Sequence, residues 1–136
     1  MKFTTITVTN LDNLRIRPMG DISRNFSRSE FACKCKCGFS TVDIELIKVL
    51  EIVRNHFSAP IKINSACRCD EHNKKVGGSQ GSKHKQGIAA DIVVKGVNPY
   101  DVYVFLDSFM PNHYGVGTYK TFTHFDVRKL KARWKG

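Results

Sequence analysis

Two histidines and an aspartate carry the chemistry this sequence offers most directly. His84 closes a glycine-rich loop, Asp91 lies in the apolar run that follows, and His124 sits near the C-terminal end. Two imidazoles and one carboxylate make a three-ligand set for zinc. The fourth position is left for water, the arrangement of a catalytic rather than a structural ion. A zinc ion so held polarises a scissile carbonyl and makes water nucleophilic near neutral pH. Gly87, Ala89 and Ala90 are small, so the backbone can pass close to a bound ion. With five histidines in the chain, composition alone would also permit such a set by accident.

The elements that must position these residues follow from spacing. Phe3 to Val8 alternates weakly and reads as a strand, and residues 9–25 read as a loop with Pro18 and Gly20. Ser27-Arg28-Ser29-Glu30 has capping-box spacing and opens a short helix. From Val42 to Phe57 the apolar positions Leu46, Leu50, Val53 and Phe57 recur at helical spacing, with Ser40 or Thr41 as cap and Pro60 as stop. Ile61 and Ile63 alternate with Lys62 and Asn64 in a short strand. Asp70 to Lys75 reads as a helical turn, residues 77–81 as a loop and Ile88 to Val94 as a buried strand. Asn98-Pro99 caps a helix running to about Met110, with Val102, Phe105, Leu106 and Phe109 inward. Two strands follow, near 113–118 and 121–127, and then a basic tail from Lys129 to Gly136 that holds the only tryptophan and reads as solvated. This order predicts an α+β fold, a small antiparallel sheet flanked by helices.

With 136 residues the chain has room for one domain, expected to span 1–136, with residues 1–25 as an N-terminal strand and loop and 26–134 as the core. Apolar residues at 41% and charged residues at 25% exclude a disordered or low-complexity protein. No apolar run approaches the ~18 residues of a membrane span. Met1-Lys2-Phe3-Thr4-Thr5 leads into no apolar stretch of the kind a signal peptide needs, so synthesis in the cytoplasm is expected. The net charge of +10 is spread evenly, with 11 basic and 6 acidic residues in each half. Such a surface concentrates polyanions: nucleic acid, teichoic acid, anionic lipid or acidic wall polymer.

The run Ser82-Lys83-His84-Lys85-Gln86-Gly87-Ile88-Ala89-Ala90-Asp91, followed by His124-Phe125-Asp126-Val127-Arg128, resembles the D-alanyl-D-alanine carboxypeptidase type of zinc peptidase. That group includes vancomycin-resistance D,D-dipeptidases and phage endolysins and shares a fold with the hedgehog signalling domain. Phe31-Ala32-Cys33-Lys34-Cys35, Ile63-Asn64-Ser65-Ala66-Cys67-Arg68-Cys69, Asp70-Glu71-His72-Asn73 and Val76-Gly77-Gly78 fit as well, and the similarity covers about residues 26 to 134. The resemblance implies one catalytic zinc ion held by His84, Asp91 and His124. It implies that Arg68 points into the cleft, where it stabilises the oxygen of the tetrahedral intermediate or grips substrate, a role suited to a forked guanidinium. Ser82 falls at the pocket rim or behind a ligand, or simply caps its loop.

Several relatives carry a Glu or Asp three residues before the last ligand, or a His two before it. Here those positions are Thr121 and Phe122, with Thr123 next to the ligand, and none can act as a base. Strand alternation puts Asp126 and Arg128 on the face of His124. Asp126 is therefore a candidate base, a residue that orients a ligand histidine, or a partner for Arg128 or Arg68. His113 is a further candidate. Five cysteines, Cys33, Cys35, Cys37, Cys67 and Cys69, leave at least one unpaired. A reducing compartment disfavours stable disulfides. A second, thiolate zinc site, a staple formed after release, and buried free thiols all stay open.

The reading that results is a monomeric zinc metallopeptidase that hydrolyses a D-amino-acid-containing bond of peptidoglycan, acting on the cell wall after release as a phage endolysin does. The alternative is a non-catalytic zinc-containing wall-binding module. A specific nucleic-acid partner is not expected, because no aromatic residues interleave with the basic ones.

Overall fold

A computed structural model of the chain describes residues 20–136. The strand expected at Phe3 to Val8 lies outside the described residues. Among the described residues the fold is α+β, with three helices and a five-stranded sheet.

Helix α1 (Ile44–Phe57) buries Leu46, Ile47, Val49, Leu50 and Val53, so its apolar stripe faces the core as the spacing requires. Its cap is neither Ser40 nor Thr41. The helix begins later, and the Asp43 carboxylate accepts from the Glu45 N–H at 2.7 Å. A carboxylate there also meets the positive end of the helix dipole. Ser58, at φ 49°, ends the helix before Pro60 reaches it. On the outer side Glu51 accepts hydrogen bonds from Ser23 Oγ at 2.5 Å, Asn25 N at 2.8 Å and Asn25 Nδ2 at 2.6 Å. These tie the loop after Gly20 to the helix. The capping-box segment opens a 3₁₀ turn (Arg28–Phe31) rather than an α-helix, with Ser27 as its N-cap, and Glu30 accepts from the Ser27 N–H at 2.7 Å.

Strand β1 (Ile61–Ser65) alternates as expected, with Ile61 and Ile63 buried and Lys62 and Asn64 exposed. Helix α2 (Asp70–Lys75) follows, and a loop and a 3₁₀ turn (Lys83–Gln86) lead into β2 (Ala89–Val94). Helix α3 (Pro99–Phe109) is capped by Asn98, whose Oδ1 accepts from Tyr100 N at 2.8 Å, and it buries Val102 and Leu106. Phe105 and Phe109 are only partly buried and pack on the core margin. The C-terminal hairpin strands, β3 (Gly115–Thr118) and β4 (Thr123–Asp126), are shorter than the spacing suggests. Ile63, Ile92, Val116 and Phe125 pack into the core with α1 and α3 residues.

The sheet order is β1-β2-β4-β3-β5, and the first three pairings are antiparallel. The fifth strand, β5 (Ala132–Lys135), runs parallel to β3 and makes the sheet mixed. It comes from the segment expected to be a solvated tail. Besides its ladder to β3, the Arg133 side chain holds it. Its guanidinium donates to Asp107 Oδ1 at 2.6 Å, to the carbonyls of Tyr114 and Met110 at 2.7 Å, and to that of His113 at 3.0 Å. One side chain thus binds three carbonyls beyond α3 and helps anchor the edge strand. Arg133→Ala is expected to cost about 2 kcal/mol, the worth of charge-assisted hydrogen bonds that are partly exposed. Trp134 is the only tryptophan, so a red-shifted emission should report release of β5; unchanged stability and emission would show the strand held by other contacts.

Candidate metal centre and cleft

Register places the chemistry on one face of the sheet. Asp91 on β2 stands opposite His124 on β4, and His124 stands opposite Gly117 on β3. Asp126 stands opposite Ala89 on one side and Gly115 on the other. Directly opposed residues share a face, so Asp91, His124 and Asp126 lie together while Ile92, Val116 and Phe125 point into the core. The third residue of the group, and its second imidazole, comes from the 3₁₀ turn, where His84 is buried.

Each imidazole has one nitrogen engaged by an acceptor and the other turned toward Asp91. His84 Nδ1 donates to the Ala66 carbonyl at 2.7 Å, which leaves Nε2 3.2 Å from Asp91 Oδ1. His124 is reversed: Nε2 donates to Asp126 Oδ2 at 2.8 Å, and Nδ1 lies 2.9 Å from Asp91 Oδ1. Fixing the far nitrogen sets the tautomer and ring plane and makes the near nitrogen a better ligand. The three ligand atoms lie within 4.8 Å of one another. The donor set fits zinc: two oriented imidazoles and a carboxylate converge, and each imidazole has an outer partner.

Asp126 is fully buried. Beyond His124, its Oδ1 accepts from Arg128 N at 3.1 Å and Arg128 Nε at 2.8 Å, and its Oδ2 from Arg128 Nη2 at 2.8 Å. Both oxygens are fully engaged, and the carboxylate does not line the cleft. This geometry favours orientation of His124 and pairing with Arg128 over proton transfer from water in the cleft. Gly115 makes the pairing possible, because a Cβ there would come within 2.6 Å of both Asp126 oxygens and Arg128 Nε.

Arg68 lies at the cleft floor with a side chain 13% exposed, its Nη2 3.4 Å from Asp91 Oδ2. Ser65 Oγ and Asn73 Oδ1 accept from its other nitrogens at 3.1 and 3.2 Å, which fixes the fork. Ser82 Oγ accepts from the His84 N–H at 3.2 Å, so it caps the turn that carries a ligand, and it also lines the cleft. His113 is exposed and does not line it.

The cleft encloses about 640 Å³. One wall is the loop of Val76 to Lys83; the other is aromatic, with Tyr119, Phe122 and Trp134. Sequence reasoning missed all three aromatics. Trp134 lies against Gly117, where a Cβ would come within 2.3 Å of the indole, and its ring centroid is 5.1 Å from that of His124. Its Nε1 donates to Tyr119 Oη at 2.8 Å, and Arg128 sits 5.3 Å over its ring. The alternation of Ala132 and Trp134 with Arg133 and Lys135 was the available signal, hidden by the basic composition of the segment.

A family model described as Peptidase M15 matches residues 24–126, which is well over half of the chain. The chain belongs to the Peptidase M15 family. The match begins near the expected start of the core but ends at Asp126, before β5 and Trp134. Among curated proteins none matches the chain. As an M15 peptidase the protein is a metallopeptidase that acts on a peptide substrate. No helix among the described residues is long and apolar enough to cross a membrane.

The ionisable groups at the site of this M15 peptidase lie in direct contact with one another. Burial alone would raise both carboxyls. Hydrogen bonds from His124 and His84 to Asp91, and from Arg128 and His124 to Asp126, hold both well below the usual carboxylate range. Burial works against the charged form of His124, but Asp126 and Asp91 raise it above its ordinary value. A depressed carboxyl contributes stability that is present above its unfolded value, ~3.9, and is lost as pH falls through the folded one. A raised histidine contributes stability that is complete below ~6.5 and lost as pH rises through its folded value. The metal-free M15 peptidase should therefore melt highest between pH ~4 and pH ~6.5, and lower on both sides, the alkaline loss running up to the raised His124 value. Calorimetry of chelated protein across that range checks this; a melting temperature that keeps climbing below pH ~4 would contradict it.

Proposed function

We propose that this M15 peptidase uses one zinc ion to hydrolyse a D-amino-acid-containing bond in peptidoglycan stem peptides or their cross-links, in the setting of wall lysis by a phage. The observation that carries the reading is the convergence of His84, Asp91 and His124 at the floor of an open cleft, with the Arg68 guanidinium beside them. The net charge of +10 supports it further, since a positive protein is drawn to an anionic wall.

His84 Nε2, Asp91 and His124 Nδ1 would hold the ion. When bound, zinc polarises the scissile carbonyl and makes water acidic enough to attack it. Arg68, already immobilised by Ser65 and Asn73, offers N–H groups to the oxygen that gains charge, or to a substrate carboxylate. Asp126 keeps His124 in the tautomer that leaves Nδ1 free. Trp134, Phe122 and Tyr119 form an apolar wall that keeps water from one side of the substrate and orients a peptide laid along the cleft.

The test is digestion of purified muropeptides by the zinc-loaded protein, with products read by mass. Cleavage at a bond next to a D-residue, abolished by a chelator and restored by zinc, is the expected result. Zinc bound at these residues with no cleavage of any muropeptide would instead make the protein a wall-binding module.

A further inference from the structure

A second cluster of ligating side chains lies outside the cleft. Cys33, Cys35, Cys37 and Cys69 bring four sulfurs within 4.8 Å of one another. We propose that these four thiolates form a second, structural zinc site that braces the segment carrying Arg68.

The spacing of the sulfurs is the first support. Cys33 and Cys35 are 3.4 Å apart, Cys35 and Cys69 3.6 Å, and Cys33 and Cys69 3.8 Å. A tetrahedral ion with bonds of about 2.3 Å to sulfur requires sulfurs about 3.8 Å apart. The three distances form a nearly equilateral triangle, the face such a tetrahedron would present. All five cysteines are free thiols. Cys35 and Cys37 are exposed, so burial as small apolar side chains does not explain why they gather.

Backbone geometry points the same way. Cys33 to Lys36 is a turn closed by a 3.1 Å hydrogen bond from Lys36 N to Cys33 O, and the Cys33 N–H donates to Phe39 O at 2.7 Å. Lys36 at φ 65° and Gly38 at φ 94° both take the left-handed conformation, which a lysine adopts only when its surroundings hold it there. This tight fold is how alternate cysteines, which an extended strand would send to opposite sides of one segment, come to one point. Backbone N–H groups donate to the sulfurs at 3.4 Å, from Cys69 to Cys33 and from His72 to Cys69, and such donors stabilise thiolate charge. Lys34 and Lys36 flank the site and offset the negative charge left by four thiolates around a dication.

The location gives the site its role. Cys69 caps α2 and adjoins Arg68. The Cys67 N–H donates to Phe31 O at 3.1 Å, the Arg68 N–H to His84 O at 3.0 Å, and His84 Nδ1 to Ala66 O. Residues 66–69 are thus held on one side by the turn carrying His84 and on the other by the cysteine cluster. Cys67, buried, is the fifth thiol and takes no part.

Metal content and a cobalt spectrum test the proposal independently of hydrolysis. Protein purified under reducing conditions should carry about two equivalents of zinc, against about one in Cys35→Ser/Cys37→Ser and about one in His84→Ala. With cobalt in place of zinc, the native chain and His84→Ala should show the intense near-ultraviolet thiolate charge-transfer band, which Cys35→Ser/Cys37→Ser should lose. Both replaced cysteines are exposed, so the serine variant should fold; if it does not, the stoichiometry and spectrum of the native chain and of His84→Ala decide alone. One equivalent of metal in the native chain that His84→Ala loses, no thiolate band, or an intact mass showing disulfides after anaerobic purification would overturn the site.

Discussion

Arg68→Ala is expected to leave zinc in place and to lower kcat by about 10²–10³, the usual effect of removing one donor aimed at a developing oxyanion. The guanidinium contacts Asp91 Oδ2 only at 3.4 Å, while His84 and His124 hold the other oxygen, so the ligand set survives its loss. Ser65 and Asn73 keep the fork rigid before substrate arrives, and a donor positioned in advance needs no reorganisation as charge builds. Arg68→Lys should recover little, because a point-charge ammonium cannot reach two oxygens in one plane. If Arg68 grips a substrate carboxylate in the ground state, KM rises while kcat holds. Steady-state kinetics with metal content measured on the same samples separates the cases; both variants at native kcat/KM would remove Arg68 from the reaction.

Asp126→Asn should lower zinc affinity by about 10–100-fold, the range for loss of a carboxylate behind a ligating histidine. It should also cost about 3 kcal/mol of stability, near the lower end for breaking a buried ion pair, because the Arg128 side chain is 28% exposed and regains water. The amide presents one oxygen where the carboxylate presents two. It either accepts from His124 Nε2 and turns an N–H toward Arg128, or the reverse. Arg128→Ala is the matching control. It breaks the ion pair but keeps the bond to His124, so stability falls while zinc affinity stays close to native. Chelator competition and urea denaturation measure both quantities. Native affinity in Asp126→Asn would mean that His124 needs no partner at Nε2.

The parts of the fold that the sequence disclosed are those governed by local spacing. The stripe of Leu46, Leu50 and Val53, the alternation of Ile61 and Ile63, and the Asn98-Pro99 cap each act within a turn or two of themselves. The grouping of His84, Asp91 and His124 was legible because these residues sit in a spaced motif, and strand period put Asp126 on the face of His124. What that period could not settle was the role of Asp126. That depends on Gly115, a neighbour on another strand, leaving space for Arg128 to close over the carboxylate. Strand β5 was illegible for a similar reason. Its anchor, Arg133, finds its partners between Asp107 and Tyr114, and no local pattern distinguishes an arginine that bridges to distant carbonyls from one in water. The aromatic wall of the cleft was lost with that strand.

The convergence of His84, Asp91 and His124 is tested most directly by a crystal structure of the zinc-loaded protein, with anomalous scattering recorded on both sides of the zinc edge. The expected map has a peak in the cleft bonded to His84 Nε2, an Asp91 oxygen and His124 Nδ1, with the His124 Nε2–Asp126 hydrogen bond intact. A map without a peak there, or with the ion bound through His124 Nε2 and Asp126 turned away, would contradict it.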